Sequence, residues 1–273
     1  MNMMRKTTLW AVASASLLLA APAMVPSAEA TEQAAHVHDE PAFDVLSAFR
    51  GAFTVIPGQT LRFSDGSDWT APTEPGTYHL PSNGVAFVVV PRSEAASGTV
   101  RGYRVGYYPP TRGTVRGFPP GFIEVTNSNR DVSVSRHFKL GDFVCKDGAN
   151  RSYIMLSGRL LEKLENIIAE LNTRGIATRK LRLMSAYRTP RYNSEIGNKT
   201  GLSRHTYGDA ADVLADDFDR DGQIGETDAR VLYSVIDKLD QTTALRGGAS
   251  LYKPTSSHGW FVHTDTRGVI KRW

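Results

Sequence analysis

The sequence predicts a chain of mixed class: a C-terminal α+β domain with a small antiparallel sheet and flanking helices, preceded by a small all-β domain. Two observations predict it. From about residue 49 to 135, short β-branched and aromatic runs alternate with Gly and Pro turn signals. Beyond Arg136, helical and strand periodicities mix within one stretch, as an α+β domain requires.

The first thirty of the 273 residues have the pattern of an export signal. Arg5 and Lys6 supply the positive start, Leu9 to Met24 an apolar run, and Ala28-Glu29-Ala30 a small-x-small cleavage site, so the mature chain is expected to begin at Thr31. A retained membrane anchor is the alternative, but Ser14, Ser16 and Pro22 interrupt the run, and no transmembrane anchor is expected after cleavage. No cysteine follows the apolar segment to carry a lipid. The expected location is therefore periplasmic or extracellular. Cys145 is the single cysteine, which excludes an internal disulfide and leaves stability to the core and to metals. Removal of the signal takes two basic residues and one acidic residue from a net charge of +4, leaving a weakly basic chain. Nothing in that balance calls for nucleic acid.

Residues 31–48 form a polar leader that carries His36 and His38. In the domain at 49–135, strands are expected at Phe53-Thr54-Val55-Ile56, Val85 to Val90, Arg101 to Tyr107 and Phe122 to Val125, with turns at Pro57-Gly58, Asp65-Gly66, Pro75-Gly76 and Pro119-Pro120-Gly121. Arg101, Arg104, Arg112 and Arg116, interleaved with Tyr103, Tyr107 and Tyr108, fit a face that meets an anionic glycan and equally fit solvated strands. The second domain is placed at 136–273. Leu160, Leu161, Leu164, Ile167, Ile168 and Leu171 recur at helical spacing from Ser157 to Thr173, with Glu162, Lys163, Glu165 and Asn166 between them. Strands are expected at Leu181 to Tyr187, Ala210 to Leu214 and Trp260 to Thr264, and a second helix from Thr227 to Leu239.

The chemistry concentrates in this second half. Ser203-Arg204-His205-Thr206-Tyr207-Gly208-Asp209-Ala210-Ala211-Asp212 is answered by His258-Gly259-Trp260-Phe261-Val262-His263-Thr264-Asp265. Two histidines with one carboxylate are a set that zinc uses when it keeps a fourth position for water or substrate, which points to hydrolysis. The period of two puts Phe261, His263 and Asp265 on one strand face, so His263 is a plausible ligand and Asp265 a group that orients it.

Four segments together, His137 to Gly148, Ser185 to Asn193, Ser203-x-His205-x-x-Gly208-x-Ala210-x-Asp212 and Gly259 to Asp265, resemble the zinc D-Ala-D-Ala carboxypeptidase family, a group related to lysostaphin-type endopeptidases and the hedgehog domain. The resemblance covers roughly residues 136 to 273. It implies zinc ligands at His205, Asp212 and His263. It also implies a secreted peptidase that cuts peptidoglycan stem peptides or cross-links, as a D,D-carboxypeptidase or an endopeptidase, through a zinc-activated water. Arg188 then pairs with a peptide carboxylate or the developing oxyanion, and Ser203 and Asn193 shape the substrate pocket. Some members place a glutamate base three residues before the last ligand, where this chain has Trp260, so the expected base is His258, with Asp209 as the other candidate. The alternative is a non-catalytic, metal-stabilised wall-binding module.

Residues 217–228 match a twelve-residue calcium loop, with Asp217, Asp219 and Asp221 at positions 1, 3 and 5, Gly222 at 6, the Gln223 carbonyl at 7 and Asp228 at 12. The last is an Asp where EF-hands have Glu, as in dockerin loops, and an acidic surface turn is the plain alternative.

Overall fold

The computed structural model describes residues 57–58, 60–62, 68–80, 84–110, 117–199 and 201–273, without the side chains of 61 and 62. The expected export signal, the leader with His36 and His38, the strand at Phe53 to Ile56, the Asp65-Gly66 turn, Arg112 and Arg116 lie outside the described residues. No helix among the described residues is long and apolar enough to cross a membrane.

The chain runs β1 (Thr60–Arg62), β2 (Asp68–Thr70), β3 (Gly76–His79), β4 (Ala86–Val89), α1 (Arg92–Ser97), β5 (Thr99–Val100), β6 (Tyr103–Arg104), β7 (Gly121–Val125) and β8 (Ser152–Ile154). It continues with α2 (Gly158–Thr173), β9 (Leu183–Ser185), α3 (Pro190–Glu195), β10 (Ala210–Leu214), α4 (Glu226–Thr242), β11 (Gly248–Tyr252), β12 (Phe261–Asp265) and β13 (Lys271–Arg272). The stretch expected as one strand from Arg101 to Tyr107 is instead half of the small hairpin β5–β6, because Arg101 and Gly102 both take positive φ and turn the chain there.

A four-stranded antiparallel sheet in the order β3-β4-β7-β8 and a five-stranded sheet in the order β13-β11-β12-β10-β9 carry the architecture. The second sheet is antiparallel except for its β11–β13 edge, which is parallel. The expected boundary near Arg136 does not separate two cores. β8, from beyond that point, pairs with β7 through Ile123↔Ile154, and one buried cluster runs from Phe87, Phe122 and Val134 through Phe138, Tyr153 and Leu160 to Val262. The described residues accordingly fall within one compact unit. Tyr103 and Tyr108, read as glycan-facing, turn inward instead. Tyr103 donates to Asp147 at 2.6 Å, and Tyr108 donates to the Thr206 carbonyl at 2.9 Å beside Tyr187. Burial pushes both phenols above their ordinary pKa.

Helix α2 buries the stripe Leu160, Leu161, Leu164, Ile167, Ile168 and Leu171 and packs against α4, whose Leu232, Val235, Ile236 and Leu239 face the same core. α4 in turn covers β11 and β12, the strands behind the site. One residue of α2 departs from its expected polar face. Lys163 is wholly buried, because its position, three after Leu160 and four before Ile167, belongs to the core stripe. Its ammonium donates to Asp240 Oδ1 at 2.6 Å and to the Asp265 carbonyl at 2.8 Å, while Arg272 pairs with the other Asp240 oxygen at 2.9 Å. Burial pushes the Lys163 pKa down, and the charge and hydrogen bond of Asp240 oppose that push.

Breaking such a pair strands the remaining charge in the core. Lys163→Ala is therefore expected to destabilise the fold by about 3–5 kcal/mol, seen as a lower denaturation midpoint at unchanged slope. A shift no larger than that of an exposed-site Lys→Ala control would show that the pair does not brace the strands.

Candidate metal centre

Three elements converge on one point. The antiparallel register of β10 and β12 sets Asp212 directly opposite His263, which fixes two donor side chains on neighbouring strands. His205 arrives from a 3-10 turn at Arg204–Tyr207 that ends at Gly208. Gly208 has φ of +66°, and a Cβ there would lie 2.2 Å from the Met155 carbonyl oxygen, so the close approach that delivers His205 to the sheet needs glycine.

The geometry of the three side chains assigns their protons. His205 Nδ1 lies 2.6 Å from the Ala186 carbonyl, which only accepts, so Nδ1 carries the hydrogen and Nε2 presents a lone pair. His263 Nε2 lies 3.3 Å from Asp265 Oδ2 and donates to it, leaving Nδ1 as the second lone pair. His205 Nε2, His263 Nδ1 and Asp212 Oδ1 then form a triangle with sides of 3.2, 3.2 and 2.9 Å. With a metal ion bound, these tautomers would aim all three acceptors at it; without one, His263 Nδ1 lies within hydrogen-bond reach of Asp212 Oδ1. Zinc bound at about 2.0–2.1 Å by tetrahedral ligands separates them by about 3.3 Å, so the donor set fits that ion. All three residues are buried.

Electrostatics agree with a site built for a positive charge. Burial pushes the Asp212 carboxyl up, but the charges and hydrogen bonds of His205 and His263 outweigh it and hold it well below the ordinary carboxylate range. Burial pushes His205 down, and it stays below its ordinary value despite Asp212. Burial also pushes His263 down, yet Asp212 and Asp265 together raise it. Asp265 is fixed by the Gly248 amide at 2.8 Å and by Arg267, in the position expected of a group that orients a histidine ligand. Gly247 and Gly248 permit this contact, since a Cβ on Gly247 would sit 1.6 Å from the Asp265 carbonyl oxygen.

The ligands open on a cleft of about 340 Å³. Arg188 lines it, hydrogen bonded through Nη2 to Asp212 Oδ2 and through Nε to Ser185 Oγ at 2.7 Å. Ser203 lines it as well. Asn193 does not: it is buried, its amide donates to the Asn198 carbonyl at 2.9 Å, and it borders a neighbouring cleft of about 180 Å³. His258 is half-buried in the loop before β12, with Nδ1 2.9 Å from the Gly259 carbonyl and its ring edge-on to Phe261 at 4.9 Å, outside the residues that line the cleft. Asp209, considered as a base or a surface residue, is fully buried and paired with Arg204.

The cleft also takes Phe261, from the motif that carries His263, and Met184, Asn198, Leu202, Tyr252 and Trp273, none of which the sequence motifs marked. Tyr252 carried a faint signal, as an aromatic residue in a short alternating run after two glycines. Trp273 carried none.

In the acidic loop, the carboxylates of Asp217, Asp219 and Asp221 gather within 4.8 Å of one another. Asp221 Oδ1 accepts from the Gln223 amide at 2.7 Å, and Asp217 Oδ2 from the Gly222 amide at 3.1 Å. Asp228, expected as the twelfth-position ligand, stands apart from this group. Its carboxylate accepts from the amides of Phe218 at 2.7 Å and Gly225 at 2.8 Å, capping the start of α4 and tying the loop to it.

Residues 136–224 match the family model described as Peptidase M15. The match includes Arg188, His205 and Asp212 and stops before His263, whose place in the centre rests on the geometry above. No curated protein and no solved structure matches the chain.

Because Asp265 fixes the tautomer and orientation of His263, Asp265→Asn is expected to weaken zinc binding by about 10–100-fold, measured by competition with a chromophoric chelator. An unaltered affinity in a folded variant would show that His263 is oriented without it.

Proposed function

We propose, for a chain whose residues 136–224 match the family model described as Peptidase M15, that this is an exported zinc peptidase acting on peptidoglycan stem peptides or cross-links. The observation that carries this reading is the triangle of acceptor atoms on His205, Asp212 and His263 at the floor of a cleft that Arg188 also lines. The expected periplasmic or extracellular location rests on the signal pattern of residues 1–30.

His205, Asp212 and His263 would hold zinc, which would supply Lewis acidity and a water of lowered pKa, about 7 in such sites. The remaining work falls to the protein. Arg188, held by Asp212 and Ser185, keeps a fixed guanidinium in the cleft and binds the substrate carbonyl or carboxylate through its other N–H groups. Ser203 contributes a hydroxyl to the same wall. Asn193 shapes the substrate pocket from behind, through the Asn198 backbone that it holds. His258 takes the water's proton and returns one to the leaving amine, from a loop whose ring contact with Phe261 brings it to the margin of the cleft.

A second reading, a metal-stabilised wall-binding module without turnover, is favoured by one observation: Asp212, itself a ligand, is the only carboxylate among the described residues that line the cleft. Purified peptidoglycan separates the two. Metal-dependent release of D-alanine or uncross-linked fragments, abolished by chelator and restored by zinc, is the expected result; intact substrate with stoichiometric bound zinc supports the module. His258→Ala is expected to retain zinc and lose about 10²–10⁴-fold in kcat, and an unchanged kcat would move proton transfer to another group.

The acidic loop is proposed as a calcium site held by Asp217, Asp219, Asp221 and the Gln223 carbonyl, with Asp228 joining them if its carboxylate leaves the amides it caps. The loop follows β10 by two residues, so an ion there would stiffen the strand that carries Asp212. Calcium is expected to raise the melting temperature of the wild type and not of Asp219→Ala. Equal melting temperatures with and without calcium in the wild type would leave a plain acidic turn.

A further inference from the structure

One short segment, Ala186 to Arg188, holds the turn that carries His205 at three points. The Ala186 carbonyl accepts from His205 Nδ1 at 2.6 Å, and the Arg188 amide donates to the His205 carbonyl at 3.2 Å. Tyr187 supplies the third point through an intermediary, Tyr108. The Tyr108 hydroxyl lies 2.9 Å from the Thr206 carbonyl and 3.0 Å from the Tyr187 hydroxyl. A carbonyl only accepts, so the one hydrogen of Tyr108 goes to Thr206, and the hydrogen between the two phenols comes from Tyr187. The direction is thereby fixed as Tyr187 to Tyr108 to Thr206, the residue next to His205. Thr206 is buried, so water competes little for its carbonyl.

Tyr108 comes from far along the chain. It follows β6 and precedes residue 136, where the match to the peptidase M15 model begins. Its ring packs edge-on to Phe118 at 5.3 Å and tilted against Tyr207 at 5.6 Å, and Phe118 meets Phe122 of β7 at 5.7 Å. Just before Tyr108 the backbone is pinned to α3, where the Arg191 amide donates to the Val105 carbonyl at 2.9 Å. Gly106 has φ of +88°, and a Cβ there would lie 2.7 Å from the Arg191 nitrogen, so the close passage along α3 needs glycine. Ring packing and an anchored backbone seat the phenol, and its hydroxyl gives the contact a direction.

We propose that Tyr108 is a positioning residue of the metal centre: its hydroxyl, oriented by Tyr187, fixes the turn at Thr206 and so keeps His205 Nε2 aimed at the point it shares with Asp212 and His263. The role rests on the reading of those three residues as a zinc site, and it belongs to a residue outside the matched segment.

The test uses the full chain, stripped of metal and titrated with zinc in competition with a chromophoric chelator. Tyr108→Phe keeps the ring and removes the hydroxyl, and is expected to weaken zinc binding by about tenfold, the lower end of what outer contacts of a metal ligand contribute. Tyr153→Phe is the control. It deletes another phenol hydroxyl of the same core, one that donates to Glu124 at 3.0 Å, and should leave the affinity unchanged. Zinc-free denaturation midpoints, measured alongside, show that each variant is folded. Tyr187→Phe should weaken zinc binding less than Tyr108→Phe, and the double variant no more than Tyr108→Phe alone, since Tyr187 acts through Tyr108. Wild-type affinity in a folded Tyr108→Phe overturns the proposal. So does an equal loss in Tyr153→Phe, which would trace the effect to general stability, and additive losses in the double variant overturn the relay. If Tyr108→Phe does not fold, Tyr187→Phe compared with Tyr153→Phe decides by the same rule. A wild type that takes up no zinc refutes the metal reading and this role with it, whereas zinc bound equally well by wild type and Tyr108→Phe refutes the role alone.

Discussion

Three ligating atoms, His205 Nε2, His263 Nδ1 and Asp212 Oδ1, that face one another at about 3 Å are the constraint around which this half of the molecule is organised. Left alone, such an arrangement is repulsive, and burial intensifies it because water cannot intervene. The fold meets the problem with a ring of outer contacts. The Ala186 carbonyl, Asp265 and Arg188 each hold one member of the triangle from behind, so that the two histidines are committed to the tautomers that point lone pairs inward. A proton on His263 is one cation that relieves the repulsion, and the raised pKa of that residue reflects it. A divalent ion relieves it more completely, since it accepts all three pairs at once and releases the proton.

The outer contacts depend on backbone that does not move, and the buried Lys163–Asp240 pair supplies part of that rigidity. Lys163 reaches from α2 to the Asp265 carbonyl, Asp240 reaches from α4 to the Gly247 amide, and Arg272 on β13 closes the circuit. Two helices and two strands are thereby joined at the end of β12, two residues from His263. Hydrophobic contact alone would hold these elements together without fixing their register. Directional bonds to backbone groups fix it.

Much of this was legible in the sequence where a local period carries the signal. The stripe from Leu160 to Leu171 marks α2, and the run Ala210 to Leu214 marks β10 to its ends. The family resemblance of the motifs around His205, Asp212 and His263 implied a ligand set, and β10, β12 and the turn at Gly208 bring those three residues together. What escaped were features set by pairing between distant segments. β8 is three residues long, too short to show a period, and it joins a sheet made mostly of residues before Arg136, which is why a domain boundary appeared there. Lys163 reads as surface because it is charged; its partner Asp240 lies 77 residues away and only the folded chain brings them together. Asn193 fell on a motif position near the cleft, but the helix N-capped by Thr189 turns its side chain toward Asn198.

The charge around the cleft has a consequence for what it accepts. Three arginines line it, Arg188, Arg204 and Arg267, and each is paired with a buried aspartate, Asp212, Asp209 and Asp265 respectively. Pairing removes most of the net positive field that free guanidinium groups would project, so the cleft is not a general trap for polyanions. It leaves planar donors locked in orientation, which favours recognition by geometry over attraction by charge. A peptide main chain, with one carbonyl or one terminal carboxylate to satisfy, suits such donors better than a phosphate-rich polymer does. The aromatic residues that also line the cleft, Tyr252, Phe261 and Trp273, turn their polar groups on one another, since the Trp273 indole N–H donates to the Tyr252 hydroxyl. Oriented polar donors and an apolar aromatic surface thus line the same cleft as the His205, Asp212 and His263 group, an arrangement consistent with the peptide substrate proposed above.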